Sequence, residues 1–450
     1  MADPAERPIG SFSGATAAAV VVANMIGTGV FTSLGFQLLD IQSGFVLIML
    51  WVVGGVTALC GALTYAELGA ALPRSGGEYN FLSRIYHPAA GFISGWVSAT
   101  IGFAAPVALA AITFGSYLSS VFPALSPTWL ACGLVLALTL VHASTRGTSG
   151  GVQRWFTVLK IALIVVFCLC AALLVDDGQP VRFRPAAADA DEIFSAAFAV
   201  ALIYVNYAYT GWNAATYLTS ELDDPERNLP RVLGIGTAVV LVLYVWLNYS
   251  FLHAAPQAEM AGKVEVGYVA ATFIFGPQGA AIMGTVLALL LVSTVSAMTL
   301  AGPRVLQVIG QDFAAFRWLA RTNGSGLPAV AIAFQSTLAL AFILTASFES
   351  ILVFAGFTLG LNSFLAVAGV FVLRWRQPDL PRPYRTFAYP LPPLIYLGLT
   401  GWTLVYLLLQ RPAEAGFGLA IVVSGALFYA LTRALGTTAI ADPAQGPELP

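Results

Sequence analysis

Two short strings in this chain carry residue types that open a backbone to a ligand. One is Gly27-Thr28-Gly29, inside NMIGTGVFTS; the other is Thr210-Gly211-Trp212-Asn213, inside YVNYAYTGWNAATYL. Glycine costs about 1 kcal/mol against alanine in a helix interior, and both strings sit inside long apolar runs. A helix interrupted there has unpaired N–H groups at the start of its second half. Those donors, with the positive end of the half-helix dipole, bind an anion such as a carboxylate. Read alone, Gly-Thr-Gly serves equally well as a close contact between packed helices, where small residues are common.

Lys160 is the one basic residue in the interior of an apolar run. An ionisable group at such depth is a functional-site hypothesis by default. The competing reading is a lysine that snorkels to the interface. Three carboxylates lie near the ends of apolar runs: Glu67, Glu78 and Glu221. Glu221 is placed to close an inner gate with Arg74 or Arg84; otherwise such groups are solvated interface residues. Other chemistry is poorly supplied. His87, His142 and His253 lack metal-ligand spacing. Cys60, Cys132, Cys168 and Cys170 lie in apolar runs and read as small core residues. No nucleophile–base pair or metal cluster suggests an enzyme or a cofactor. No GxxxxGK[ST] string suggests a nucleotide site, and a net charge of −2 argues against nucleic acid.

The elements that hold these residues follow from composition. Hydrophobic residues make up 58% of the chain and charged residues 9%, with mean hydropathy +0.82. A soluble domain carries about 25% charge, so most of this surface must face lipid. A spanning helix needs roughly 20 apolar residues, and a window of that size gives about twelve spans. They are α1 over 13–39, α2 over 44–72, α3 over 89–118, α4 over 129–143, α5 over 152–175 and α6 over 193–219. Then come α7 over 232–253, α8 over 279–305, α9 over 328–345, α10 over 351–374, α11 over 390–409 and α12 over 416–435. One transmembrane domain is expected over 1–436, with a disordered cytosolic tail over 437–450. No cleavable leader is expected, because the first residues are polar and the first apolar run is long.

Basic residues orient these spans. With a cytoplasmic N-terminus, fifteen of the 20 Lys and Arg fall on the inner side. Four fall outside (Arg182, Arg184, Lys263 and Arg411), and Lys160 is the last. Both termini are therefore expected in the cytoplasm. The glycine strings lie in α1 and α6, five spans apart. Glycine-interrupted helices at corresponding places in two halves point to a repeat transporter with a central site. The repeats would be 13–175 and 193–374, with α11 and α12 appended over 390–435.

Longer strings carry a resemblance. IGTGVF lies in α1, and YAELGAALPRSGGEYNFL runs from α2 into the next loop. YAYTGWN lies in α6, followed by DDPERNLPR, and PDLPRPYRTFAYP follows α10. The chain resembles the amino acid–polyamine–organocation superfamily, and within it the L-type neutral amino-acid transporters. The resemblance implies a leucine-transporter-like all-α membrane fold, a 5+5 inverted repeat with broken α1 and α6. Carried over by position, a substrate carboxylate would meet the N–H groups of Thr28 and Gly29, beside Gly27. Its ammonium would meet the carbonyls of Met25, Tyr207 and Thr210. Tyr207 matches a gating aromatic; Trp212 and Asn213 match side chains of the unwound segment around Gly211. Ser98, Ala99 and Phe103 would line the pocket from α3. Ala297, among Ser293, Thr294 and Ser296, would line it from α8, where related arginine exchangers carry a tryptophan. Sodium-independent members often place a lysine at position 160, its ammonium standing where sodium binds in coupled relatives.

The expected function is sodium-independent transport of neutral L-amino acids across the cell membrane by alternating access. The residues named around the breaks include no carboxylate for a cationic side chain. Alternatives are proton-coupled symport of small or cationic amino acids through Lys160, and a sensor that kept the site but lost transport. The animal L-type chains carry a cysteine between α3 and α4, bonded to a glycoprotein partner; 119–128 contains none. A disulfide-linked heavy subunit is therefore not expected.

Overall fold

The computed structural model describes residues 14–74, 76–144, 150–312, 314–324 and 326–434. The tail over 437–450, Arg7 and Arg146 lie outside the described residues, as does the Glu221 side chain of the proposed inner gate. The described residues are helical, without strands. Ten helices are long and apolar enough to cross a membrane. The other two expected spans, α6 (Ala196–Ala208) and α9 (Ala329–Thr345), are shorter apolar helices.

α1 is two helices, Gly14–Met25 and Gly29–Gln37. α2 is Gly44–Ala71, capped by the Ser43 hydroxyl accepting from Val46 N–H. α3 starts at Pro88, passes through a π-helical turn over Ser98–Gly102 and ends at Val121. α4 is Pro127–Ser144, α5 Gly150–Leu174 and α7 Pro225–Ala254. α10 is Phe348–Arg376, α11 Leu391–Gln410 and α12 Pro412–Ala434. α8 is longer than the sequence suggests, Val266–Asp312, and is interrupted at Gly276, where φ is 70°. Pro277 follows, and the residue before a proline is pushed off helical geometry. Residues 266–275 thus form a separate helical piece where a loop was expected.

The packing has a regular arithmetic. α1 packs on α7 and α5, and α6 packs on α2 and α10. α3 packs on α4, and α8 on α9; α3 packs on α9, and α8 on α4. Exchanging each of the first five spans with the span five places later (1 with 6, 2 with 7, and so on) converts one set of contacts into the other. The lipid-facing character of the rim is plain in α4, α5 and α12, where Leu140, Leu173 and Leu427 are exposed. Three of the largest fully buried side chains are aromatic and cluster around α2, α6 and α7: Trp51, Tyr209 and Tyr244. Their ring centroids lie 5.0–6.1 Å apart.

Charged side chains at the span ends are less solvated than expected. Glu67 is fully buried and accepts two bonds from Arg374, at 2.8 and 2.7 Å. It also accepts from the N–H and hydroxyl of Thr386, both at 2.7 Å. Arg382 turns back onto the last carbonyls of α10, with Gln377 O at 2.7 Å. A cation there satisfies carbonyls that the helix leaves unpaired. PRPYRT thus fastens the loop after α10 to the end of α2.

Candidate functional site

The break in α1 follows from its glycines. After Ile26, whose N–H still bonds Val22 O at 2.9 Å, the ladder stops: Gly27 N–H reaches back only to Met25 O at 2.7 Å, and Phe31 N–H bonds Thr28 O at 3.0 Å. Among the described residues, the N–H groups of Thr28, Gly29 and Val30, at the start of the second half, find no partner. α6 ends at Ala208 and turns at Gly211, whose φ of 97° suits a residue without a side chain. The chain then resumes as a 3-10 helix over Ala214–Glu221.

The two breaks interlock. A Cβ added at Gly29 would collide with Ala208 backbone, and one at Gly211 would lie 2.8 Å from Asn24 C. Each glycine lets the other broken helix approach. Gly27 differs: a Cβ there would meet nothing closer than Met25 O at 3.9 Å. The close-packing reading of the α1 string therefore applies to Gly29, and the open-backbone reading to Gly27-Thr28.

Lys160 lies ten residues into α5, about 15 Å along its axis at 1.5 Å per residue. It does not snorkel. Its ammonium is buried and donates to Ile26 O in the α1 break and to Thr294 Oγ1 of α8, both at 2.9 Å. Its ammonium thus ties α5 to both α1 and α8. Sequence reasoning missed a second tie. Tyr244 of α7 donates to Met25 O at 2.5 Å, with Ala208 O at 3.3 Å. One hydroxyl so reaches the last turn of both broken helices. The available signal was a tyrosine mid-span, whose buried O–H needs a partner.

The remaining candidates divide. Ser98 and Ala99 are buried in the π turn of α3, with Phe103 just after it. Such turns are frequent at functional sites. Ala297 is half-buried on α8, next to Ser296, whose hydroxyl pairs with His142 Nε2 of α4 at 2.8 Å. Tyr207 is buried, and with Thr210 it lines a cavity of ≈ 50 Å³ between α6, α2, α10 and α11. A second cavity of ≈ 10 Å³ lies by Gly27, Lys160 and Thr294. Trp212 and Asn213 turn toward α2. The Trp212 ring stands 4.7 Å from Tyr65, and Asn213 Nδ2 donates to Glu78 Oε1 at 2.6 Å. Of the carbonyls expected to meet an ammonium, Met25 O already accepts from Gly27 N–H and Tyr244. Tyr207 O already accepts from the N–H and hydroxyl of Thr210, whereas Thr210 O accepts none among the described residues.

Residues 12–433 match the family model described as amino acid permease. The chain belongs to the amino acid permease family. Within this permease, 439 aligned residues are 31% identical to the large neutral amino acids transporter small subunit 2 of Rattus norvegicus. The alignment covers 92% of this chain and 79% of the rat protein. The Asc-type amino acid transporter 1 of Mus musculus is 28% identical, with 93% and 80% covered. The b(0,+)-type amino acid transporter 1 of the same species is 24% identical, with 95% and 88% covered. The permease is thus a multi-pass membrane protein whose broken α1 and α6 meet at its centre. Among the described residues no His, Cys, Asp and Glu cluster is arranged for a metal ion.

Proposed function

We propose that this permease moves neutral L-amino acids across the cell membrane by alternating access, without sodium. The observation that carries the sodium independence is the Lys160 ammonium between Ile26 O and Thr294 Oγ1. A fixed cation there supplies the charge that a coupling ion would bring. Neutral substrates are supported by the name of the rat relative and by the lack of a carboxylate among the residues assigned to the substrate. Support for a carboxylate site at Gly27, Thr28 and Gly29 comes from the N–H groups of Thr28, Gly29 and Val30, which find no partner among the described residues. Support for the ammonium site comes mainly from Thr210 O, which is free to accept; at Met25 O and Tyr207 O a substrate would have to displace a donor. Ser98 and Ala297 are assigned to the side-chain pocket on position. Gly211 is assigned a conformational role, and Trp212 and Asn213 hold the unwound segment of α6 against α2.

The two repeats are assigned to 13–175 and 193–374, supported by contacts that recur when spans 1–5 are exchanged with spans 6–10. Both termini are assigned to the cytoplasm, on the fifteen-to-four bias of basic residues. The rat relative's name marks it as a small subunit. For this chain, a disulfide-linked partner is not proposed: Cys60, Cys132 and Cys168 are buried and Cys170 is half-buried in α5.

The test is counterflow in proteoliposomes loaded with leucine or alanine. Replacing sodium by choline should leave the rate unchanged, neutral amino acids should compete, and amides lacking the carboxylate should compete poorly. A steep sodium dependence would remove the role given to Lys160. Stronger competition by arginine or lysine than by every neutral amino acid would overturn the substrate class. Specific binding without counterflow would favour a sensor.

A further inference from the structure

Glu78 begins a short helix, Glu78–Ile85, in the loop between α2 and α3. It is 2% exposed. It has no ion pair with a basic side chain among the described residues. A buried carboxylate without a counter-charge survives only where hydrogen bonds replace its water. Three donors do so here. Tyr65 of α2 donates to Oε1 at 3.0 Å, Asn213 to Oε1 at 2.6 Å and Tyr217 to Oε2 at 2.5 Å. Asn213 lies two residues beyond Gly211, and Tyr217 lies in the 3-10 segment that continues α6.

The backbone is shaped for this meeting. Gly76 and Gly77 have φ of 121° and 53°, where L side chains are strained. A Cβ at Gly77 would also stand 2.7 Å from the Tyr217 ring. Asn80 donates to Leu72 O at 3.2 Å and Arg74 O at 3.1 Å, pinning the short helix to the end of α2. Loop helix, α2 and the unwound part of α6 thus converge on one carboxylate.

We propose that Glu78 is a positioning residue: a latch acceptor that holds the unwound segment of α6 against α2 on the cytosolic side. The substrate break can move relative to α2 only when Asn213 and Tyr217 let go of it, and each transport cycle must re-form these bonds. The proposal rests on the transport reading for its rate readout only.

The test uses the full chain, in liposomes for counterflow of a neutral amino acid and in detergent for hydrogen–deuterium exchange. Glu78→Ala removes all three bonds. Its maximal counterflow rate should fall at least tenfold while substrate Kd stays within threefold. Exchange over 211–221 should quicken at least tenfold, and the rest of the chain should keep its protection. Glu78→Gln keeps the shape and can pair with a flipped Asn213 amide, so its rate should stay within threefold. Wild-type rate and exchange in Glu78→Ala would overturn the latch. Equal losses of Kd and rate would do so too, by making Glu78 part of binding. If Glu78→Ala does not fold, Tyr217→Phe removes one bond and should quicken exchange over 211–221 about threefold; unchanged exchange there overturns the proposal. A wild-type protein that shows no counterflow would sink the transport reading, and the exchange measurement would still judge the latch.

Discussion

Replacing Lys160 by methionine keeps most of the side chain's length and removes its three donors. Two buried acceptors lose their partner, Ile26 O and Thr294 Oγ1, each bonded at 2.9 Å. A buried acceptor left unpaired costs about 1–3 kcal/mol, so the pair costs about 2–6 kcal/mol. Thr294 recovers a little, since its hydroxyl also lies 3.4 Å from Leu290 O. Against this, the variant no longer buries an ammonium without a carboxylate partner, which itself costs several kcal/mol. The two largely cancel, and thermal stability should stay within about 2 kcal/mol of wild type. Alignment of the α1 break with α8 has no such compensation. If about 2–3 kcal/mol of that alignment is lost at the rate-limiting step, counterflow falls about 30–160-fold. The assay is counterflow of a neutral amino acid beside the melting temperature of the purified variant. Wild-type counterflow with equal or higher stability would refute the reasoning and leave Lys160 an ordinary buried lysine.

The glycines of α1 should separate by mechanism. Gly29→Val collides with Ala208 and should reduce folded yield as well as transport, whereas Gly27→Ala meets open space and should keep its melting temperature while weakening substrate binding about tenfold; equal melting temperatures for the two variants would contradict the interlock. In the connection between α5 and α6, Asp189 accepts from Arg182 at 2.5 and 2.8 Å, from Ala186 N–H at 2.6 Å and from Ser43 at 2.9 Å. The Arg182 hydrogen bonds, with those of Ala186 and Ser43, hold its carboxyl well below the usual range. A depressed carboxylate stabilises above its unfolded value, about 4, and loses that contribution as pH falls through its folded value. The melting-temperature gap between wild type and Asp189→Asn should therefore be flat from pH 8 to 5 and narrow only at lower pH; a gap that closes between pH 7 and 5 would disprove the assignment.

Legibility in the sequence followed physical scale. Apolar runs were long enough to mark the ten helices of spanning length among the described residues, because lipid demands about 20 residues of one character. Gly27-Thr28-Gly29 and Gly211 announced their breaks because glycine weakens a helix wherever it stands. Lys160 announced itself by being alone. Which acceptors it would find was not legible, since Thr294 is 134 residues away and is one of many threonines in apolar runs. Tyr244 was hidden for the same reason, its two acceptors being backbone carbonyls that no residue type advertises. The burial of Glu67 and Glu78 was also out of reach. A carboxylate at a span end reads as solvated until Arg374, Thr386, Tyr65 and Tyr217 are brought around it by the fold. The helical piece over 266–275 was read as loop because Gly276-Pro277 is a strong local break.

The clamp on Glu67 bears on which part of the chain is the smallest working unit. Counting repeats alone would make α11 and α12 passengers that a truncation after α10 could discard. Such a cut removes Thr386, and with it two of the four short bonds that satisfy a fully buried carboxylate in α2. It also removes Tyr396 of α11, whose ring stands 6.1 Å from Trp212 in the unwound part of α6. Thr400, Thr403 and Leu404 go too, opening to lipid the wall of the cavity behind Tyr207. A ten-helix fragment would lose the surface on which the broken sixth helix rests, so the mechanical frame of this permease extends through α11.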